Sequence, residues 1–284
     1  MNKKMNKTSS GSRIENKLKD VPARGDKGLI AYITAGDPNL DATVELALAM
    51  GEAGADVLEL GVPFSDPVAD GPVIQAASQR ALAGGVTVRG IIGAVEQIRQ
   101  HSDVPLVLMT YYNPVYQYGL ERFAADVAEA GGDGLILPDL PPEESGALLR
   151  ATDKYPIDLI PLVTPNTPDR RLPLICERAG GFIYCVSVTG VTGERESIVT
   201  DFSAMTAGVR RHSPLPVAVG FGIARPEQAA AVARHCDAVV VGSALVNIIA
   251  RHSGAPGMVD AVCRRVRDLK NALTGPEVSD VAAL

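Results

Sequence analysis

The sequence predicts a (β/α)8 barrel, or TIM barrel, with an N-terminal extension, and three observations predict it. First, eight short apolar runs alternate with longer helical patterns along 284 residues, a length normal for such a barrel. Second, most runs are apolar throughout rather than alternating, as in strands covered on both faces. Third, the runs are approached in two ways that take turns. Strands two, four and six follow an Ala-Gly step (Ala53-Gly54, Ala130-Gly131, Ala179-Gly180), and strands three, five and seven follow Pro105, Pro156 and Pro216. Glycine there ends a helix in the left-handed region. Proline blocks the helix and presets an extended chain. The alternation is a faint repeat of a two-strand, two-helix unit. A doubly wound open sheet is the alternative, but no G-x-G-x-x-G opens a helix after the first strand.

In chain order, residues 1–20 are polar and lysine-rich, without the apolar core of a secretory signal, and are read as a flexible or helical extension. The barrel domain is placed at residues 21–274 and a tail at 275–284. Strands are expected at 28–34, 56–60, 106–110, 134–137, 158–163, 182–186, 217–219 and 238–241. Helical patterns lie between them, at 41–53, 87–99, 120–130, 142–154, 168–178, 203–211 and 226–234.

Composition narrows the function. A net charge of −6 argues against a general nucleic-acid binder. The apolar runs are too short to span a membrane. The four cysteines lack C-x-x-C spacing and are expected to be reduced, which suits a cytoplasmic protein. The four histidines show no metal-ligand spacing, so no metal is expected.

Barrel enzymes work at the C-terminal ends of their strands. Glu59 closes strand two, and the loop that follows, stiffened by Pro63 and Pro67, ends in Asp70 and Gly71. A carboxylate at the end of a buried strand is costly unless something uses it. Two of them around one rigid turn suit acid/base chemistry. The competing readings are a buried salt bridge for Glu59, a helix cap for Asp70 and an Asp-Pro turn for Asp66. Gly220-Phe221-Gly222 after strand seven and Gly242-Ser243 after strand eight sit where barrels cradle phosphate. A helix starting at Ser243 would add its positive end. A third glycine loop, Thr189 to Gly193, completes the cup. No lysine or arginine falls in these motifs, which suits one phosphate monoester. Tyr32, Tyr111 and Tyr184 either line an aromatic pocket or fill the barrel. Asp139 either contacts a catalytic group or caps the helix after Pro141. Thr192 lies in a long loop, 189–200, that is either a lid or ordinary surface.

Together these motifs resemble one family. The run Glu59-Leu-Gly-Val-Pro-Phe-Ser-Asp-Pro-Val-Ala-Asp-Gly-Pro72 is similar to the signature of the tryptophan synthase alpha subunit. So are Tyr32-Ile-Thr-Ala-Gly-Asp-Pro38, Leu137-Pro-Asp-Leu-Pro141, Ser187-Val-Thr-Gly-Val-Thr-Gly193, Gly220-Phe-Gly-Ile223 and Gly242-Ser243, in the family's order. The resemblance spans about residues 28–272. It implies a lyase that splits indole-3-glycerol phosphate into indole and glyceraldehyde 3-phosphate. It places the general acid/base on Glu59 and the group that holds the indole N–H on Asp70. Phosphate contacts would fall on Gly193, Gly222, Gly242 and Ser243, ring contacts on Tyr32, Tyr111 and Tyr184, and the lid contact to the second acid on Thr192. It implies no cofactor in this chain. A beta subunit carrying pyridoxal phosphate would receive the indole in an alpha2-beta2 heterotetramer, facing Asp66 and Pro67 and the 189–200 loop. Two features depart from commoner forms: the longer, lysine-rich N-terminus, and Val188 where some relatives carry arginine. The rivals are a sugar-phosphate isomerase or epimerase, an inactive alpha-like subunit, and a lyase that releases indole without a partner.

Overall fold

The computed structural model describes residues 11–21, 25–186, 202–220 and 222–275. In chain order the elements are α1 (Arg13–Asp20), β1 (Gly28–Thr34), α2 (Leu40–Glu52), β2 (Val57–Gly61), α3 (Pro72–Ala83), α4 (Val88–Arg99), β3 (Leu106–Met109), α5 (Tyr112–Tyr118), α6 (Leu120–Glu129) and β4 (Gly134–Ile136). They continue with α7 (Gly146–Thr152), β5 (Asp158–Leu159), β6 (Leu162–Val163), α8 (Leu172–Glu177), β7 (Ile183–Val186), α9 (Phe202–Arg210), β8 (Val217–Gly220), α10 (Pro226–Ala233), β9 (Ala238–Val241), α11 (Ser243–His252) and α12 (Met258–Asn271).

The strands form one parallel sheet in the order β5-β4-β3-β2-β1-β9-β8-β7-β6. Its two ends, β5 and β6, are separated only by Ile160 and Pro161, so the sheet returns on itself as a barrel wall. The single fifth strand expected at 158–163 is therefore corrected to two short strands. The cause is local. Ile160 N–H still donates to the Leu135 carbonyl of β4 (2.9 Å), but Pro161 has no N–H to continue that ladder. Its carbonyl instead accepts from Tyr184 N–H of β7 (3.0 Å). The chain changes partner across one proline. A cavity of about 280 Å³ lies behind this break, lined by Leu137, Leu148, Leu162 and Ile175.

Alternate strand residues serve two cores. Leu29, Ala31 and Ile33 face the helices. Ile30, Val57, Val107, Ile136, Phe182 and Val240 fill the barrel interior. The expected glycine turns supply the helix-to-strand reversals: Gly54 (φ +110) and Gly131 (φ +86) take the left-handed region. An aspartate follows the turns at Gly54 and Gly131. Asp56 accepts Leu29 N–H (2.9 Å) and Asp133 accepts Leu106 N–H (2.8 Å). Asp237 repeats the clamp on Val217 N–H (2.8 Å). Each ties the start of its own strand to the start of a neighbour.

Residues 13–20, within the segment read as a flexible or helical extension, form α1 and close the barrel floor. Ser12 caps α1, accepting from Glu15 N–H (3.2 Å). Ile14 and Leu18, four apart on one face, are fully buried in the interior cluster. A Cβ at Gly28 would lie 2.9 Å from Leu18 Cδ2, and one at Gly134 would lie 2.8 Å from Ile14 Cδ1, so the glycines at these strand starts let α1 pack close. Arg13 pairs with Asp133, and Lys17 lies 3.7 Å from Asp56. Leu18→Ala is expected to cost roughly 2–5 kcal/mol, measured by denaturant unfolding. An unchanged midpoint would exclude α1 from the core.

Candidate active site

Glu59 sits in β2, in register with Tyr32 of β1 and Val107 of β3. Its neighbours Leu58 and Leu60 face the helices and Val57 faces the interior, so strand alternation turns Glu59 inward. It is 1% exposed, and its Oε2 has no hydrogen-bond partner among the described residues. None of the ion pairs among those residues involves it, so the salt-bridge reading fails. Burial, with the charge of Asp70 second, pushes its carboxyl up to about 8. Glu59 therefore holds its proton at neutral pH.

Asp70 ends the loop between β2 and α3. Its N–H bonds the Pro67 carbonyl (3.0 Å), and its carbonyl accepts from the Gln75 side chain (2.8 Å). The capping reading fails too, since Gly71 is the N-cap of α3 and no side chain caps it. Burial raises the Asp70 carboxyl to about 6, against a hydrogen bond from Tyr111 that lowers it. One barrel mouth thus holds a protonated acid and a neighbour that ionises two units lower.

The tyrosines are buried around this pair. The Tyr111 hydroxyl accepts Ala69 N–H (2.9 Å), and its ring lies 5.2 Å from that of Phe64. Burial raises Tyr32 and Tyr184 well above the ordinary tyrosine range, and Glu59 and Asp70 both add to it. Tyr32 lies 3.4 Å from the Thr34 hydroxyl. The glycines have a packing role here. A Cβ on Gly61 would meet the Tyr32 hydroxyl at 2.1 Å, and one on Gly220 the Tyr184 hydroxyl at 2.7 Å. A Cβ on Gly242 would sit 3.2 Å from the Tyr32 ring.

Across the mouth, Gly222 adopts φ +69, and Gly242 is the N-cap of α11. The N–H groups of Leu245 and Val246 both close on the Gly242 carbonyl (2.8 and 3.1 Å). Those of Ser243 and Ala244 precede the first helical bond and stay available to an anion. Thr192, Gly193 and Val188 lie outside the described residues. Asp66 is exposed and accepts from its neighbour Ser65 (2.5 Å), with Pro67 half-buried beside it. Asp139 does neither of the things expected of it. Its carboxylate accepts Tyr112 N–H at 2.9 and 3.0 Å and so caps α5. The sequence reading missed α5; Tyr112-Asn113-Pro114, with proline in a first helical turn, was the available signal.

The sequence pattern of the family "Tryptophan synthase alpha chain" matches residues 18–274. The chain belongs to the tryptophan synthase alpha chain family. An alpha chain from Citrifermentans bemidjiense is 50% identical over 244 residues, covering 86% of this chain and 91% of that one. One from Caldanaerobacter subterraneus subsp. tengcongensis is 48% identical over 262 residues, 92% of this chain and all of its own. Among solved structures, Mycobacterium tuberculosis tryptophan synthase superposes with a TM-score of 0.86 at 38% identity, over 94% of this chain and 100% of that one. The alpha subunit of Legionella pneumophila does so with a TM-score of 0.83 at 39% identity, over 93% and 99%.

As a tryptophan synthase alpha chain, this lyase of tryptophan biosynthesis cleaves indole-3-glycerol phosphate to indole and glyceraldehyde 3-phosphate. The isomerase and epimerase readings fall away. Among the described residues, no group of three or more His, Cys, Asp or Glu is placed to hold a metal, and no helix is long and apolar enough to cross a membrane. The carboxyl pair sets an expected pH profile. If protonated Glu59 is the working acid, kcat/KM of the free enzyme falls above about pH 8. Because Asp70's charge helps hold Glu59 up, Asp70→Asn is expected to move that alkaline limb to lower pH. An unmoved limb in a pH series of indole release would uncouple the two acids.

Proposed function

We propose that Glu59 is the proton shuttle of the cleavage and Asp70 the anchor of the indole nitrogen. The observation that carries this is a fully buried carboxyl on the barrel's inner face, its Oε2 without a partner among the described residues, charge-coupled to a second acid. Indole carbon leaves poorly until C3 is protonated. Glu59, protonated at neutral pH, gives its proton to C3, and positive charge develops on the ring nitrogen. Ionised Asp70 accepts the indole N–H and stabilises that charge. The Glu59 carboxylate then takes the proton of the adjacent glycerol hydroxyl. That carbon becomes the aldehyde, the C–C bond breaks, and its electron pair restores the aromatic ring. Glu59 ends as it began.

Tyr32, Tyr111 and Tyr184 wall the ring site, and Gly222, Gly242, Ser243 and Gly193 hold the phosphate, with Thr192 closing over Asp70. This chain supplies all the groups this chemistry needs, so we assign it no cofactor. The indole passes to a beta subunit carrying pyridoxal phosphate, in a cytoplasmic alpha2-beta2 assembly docked on Asp66 and Pro67. Exposed Val68 (84%) on that loop supports a docking role. The barrel over residues 21–274 is the functional domain, with 1–20 and 275–284 flanking it.

The test is indole release from indole-3-glycerol phosphate, with and without a beta subunit. Release of indole and glyceraldehyde 3-phosphate, faster with the partner, is expected. No release in either arm would overturn the reading. Ser243→Asp, which sets a like charge against the phosphate, is expected to raise KM by about tenfold or more. An unchanged KM would count against the cradle.

A further inference from the structure

We propose that Asp139 is a positioning residue for the cleavage: by capping α5 it fixes Tyr111, and Tyr111 fixes Asp70. This inference rests on the role assigned to Asp70.

The links are short and each has a donor and an acceptor. Asp139 receives Tyr112 N–H on both carboxylate oxygens (2.9 and 3.0 Å). Tyr111, the N-cap of α5, has an extended backbone (φ −83, ψ 158) and no side chain of its own element to cap the helix. The cap therefore comes from another loop, 27 residues on. One residue back along the chain, the Tyr111 hydroxyl accepts Ala69 N–H (2.9 Å), so its own proton is free to go to the Asp70 carboxylate. Tyr111 thus grips two successive residues of the catalytic loop, with the Phe64 ring packed against its own at a 32° tilt.

Asp139 is also placed by a stiff frame. It lies in Leu137-Pro138-Asp139-Leu140-Pro141-Pro142, where three prolines restrict the backbone. The Pro142 carbonyl is held by the Ser145 hydroxyl (2.8 Å) and the Arg178 guanidinium (3.1 Å). The start of the run is tied to the wall, where Thr110 N–H bonds the Ile136 carbonyl (2.9 Å). A rigid acceptor at a loop tip beside the barrel mouth needs a reason. Setting the angle at which Tyr111 meets Asp70 supplies one.

The test is a double-mutant cycle read as kcat and KM of indole release by the full chain. Asp139→Ala is expected to lower kcat about five- to tenfold, the effect of one lost hydrogen bond, with KM within about twofold. Asp139→Asn keeps an acceptor for Tyr112 N–H and is expected to retain most of kcat. In a Tyr111→Phe background Asp139→Ala should cost nothing more. Tyr112→Pro removes the donor while suiting a first helical position, and should reproduce the Asp139→Ala loss even if that variant folds poorly. Equal losses from Asp139→Ala with and without the Tyr111 hydroxyl, or from Asp139→Asn and Asp139→Ala, would overturn the inference. Asp70→Asn run alongside separates the failures, since undiminished kcat there sinks the role of Asp70 itself.

Discussion

Glu59→Gln is expected to slow indole release by roughly 10²–10⁴-fold, the range for loss of a positioned acid/base, while substrate still binds. The change is nearly isosteric, so the barrel wall and the phosphate loops keep their places. What disappears is the exchangeable proton at Glu59, the fully buried carboxyl on the inner face of β2. An amide neither protonates indole C3 nor accepts the glycerol proton. Asp70 ionises lower and is held by Tyr111. The loss therefore falls on kcat, with KM moving little. Single-turnover indole release with binding measured on the same sample separates the two. Near-normal turnover would refute the assignment of Glu59.

The same substitution is expected to stabilise the chain at high pH. The Glu59 carboxyl lies at about 8 in the folded chain against an ordinary 4.5. Between those values the folded state binds more protons than the unfolded state, so stability falls as pH rises. The loss begins above about pH 4.5 and is complete above about 8. At about 1.4 kcal/mol per unit it amounts to roughly 3–5 kcal/mol. Glu59→Gln removes this dependence. Denaturant unfolding at pH 5 and pH 9 is expected to show a drop in the parent that exceeds the drop in the variant by about that amount. Parallel curves would mean that Glu59 is ionised at neutral pH. The acid is thus carried at a cost in stability, as strained or desolvated functional groups are.

Much of this was legible in the chain, and the limits have physical causes. Apolar runs place strands because a barrel wall buries both faces, and the Ala-Gly and proline steps mark their starts. The fifth run reads as one strand even with Pro161 inside it. A proline shows that a ladder stops, but not that the chain takes a new partner. Helix α5 is short and carries no amphipathic stripe, so its one signal was Pro114. Glu59 and Asp70 stood out because buried acids are costly. That no cation among the described residues pairs with Glu59, and that Asp70 meets Tyr111 rather than capping α3, are facts of three dimensions. Gly220 and Gly242 read as phosphate glycines, yet each also makes room for a tyrosine ring from another strand. The sequence offers Asp139 two roles, and it has a third, since its partner lies on a different loop.

The most direct test of the account is the titration of Glu59 in the resting chain by carboxyl NMR, with Asp70→Asn as a second sample. The account predicts a midpoint of about 8 in the parent and a lower one when the charge at residue 70 is removed. A Glu59 that titrates near 4.5 in both samples would contradict it.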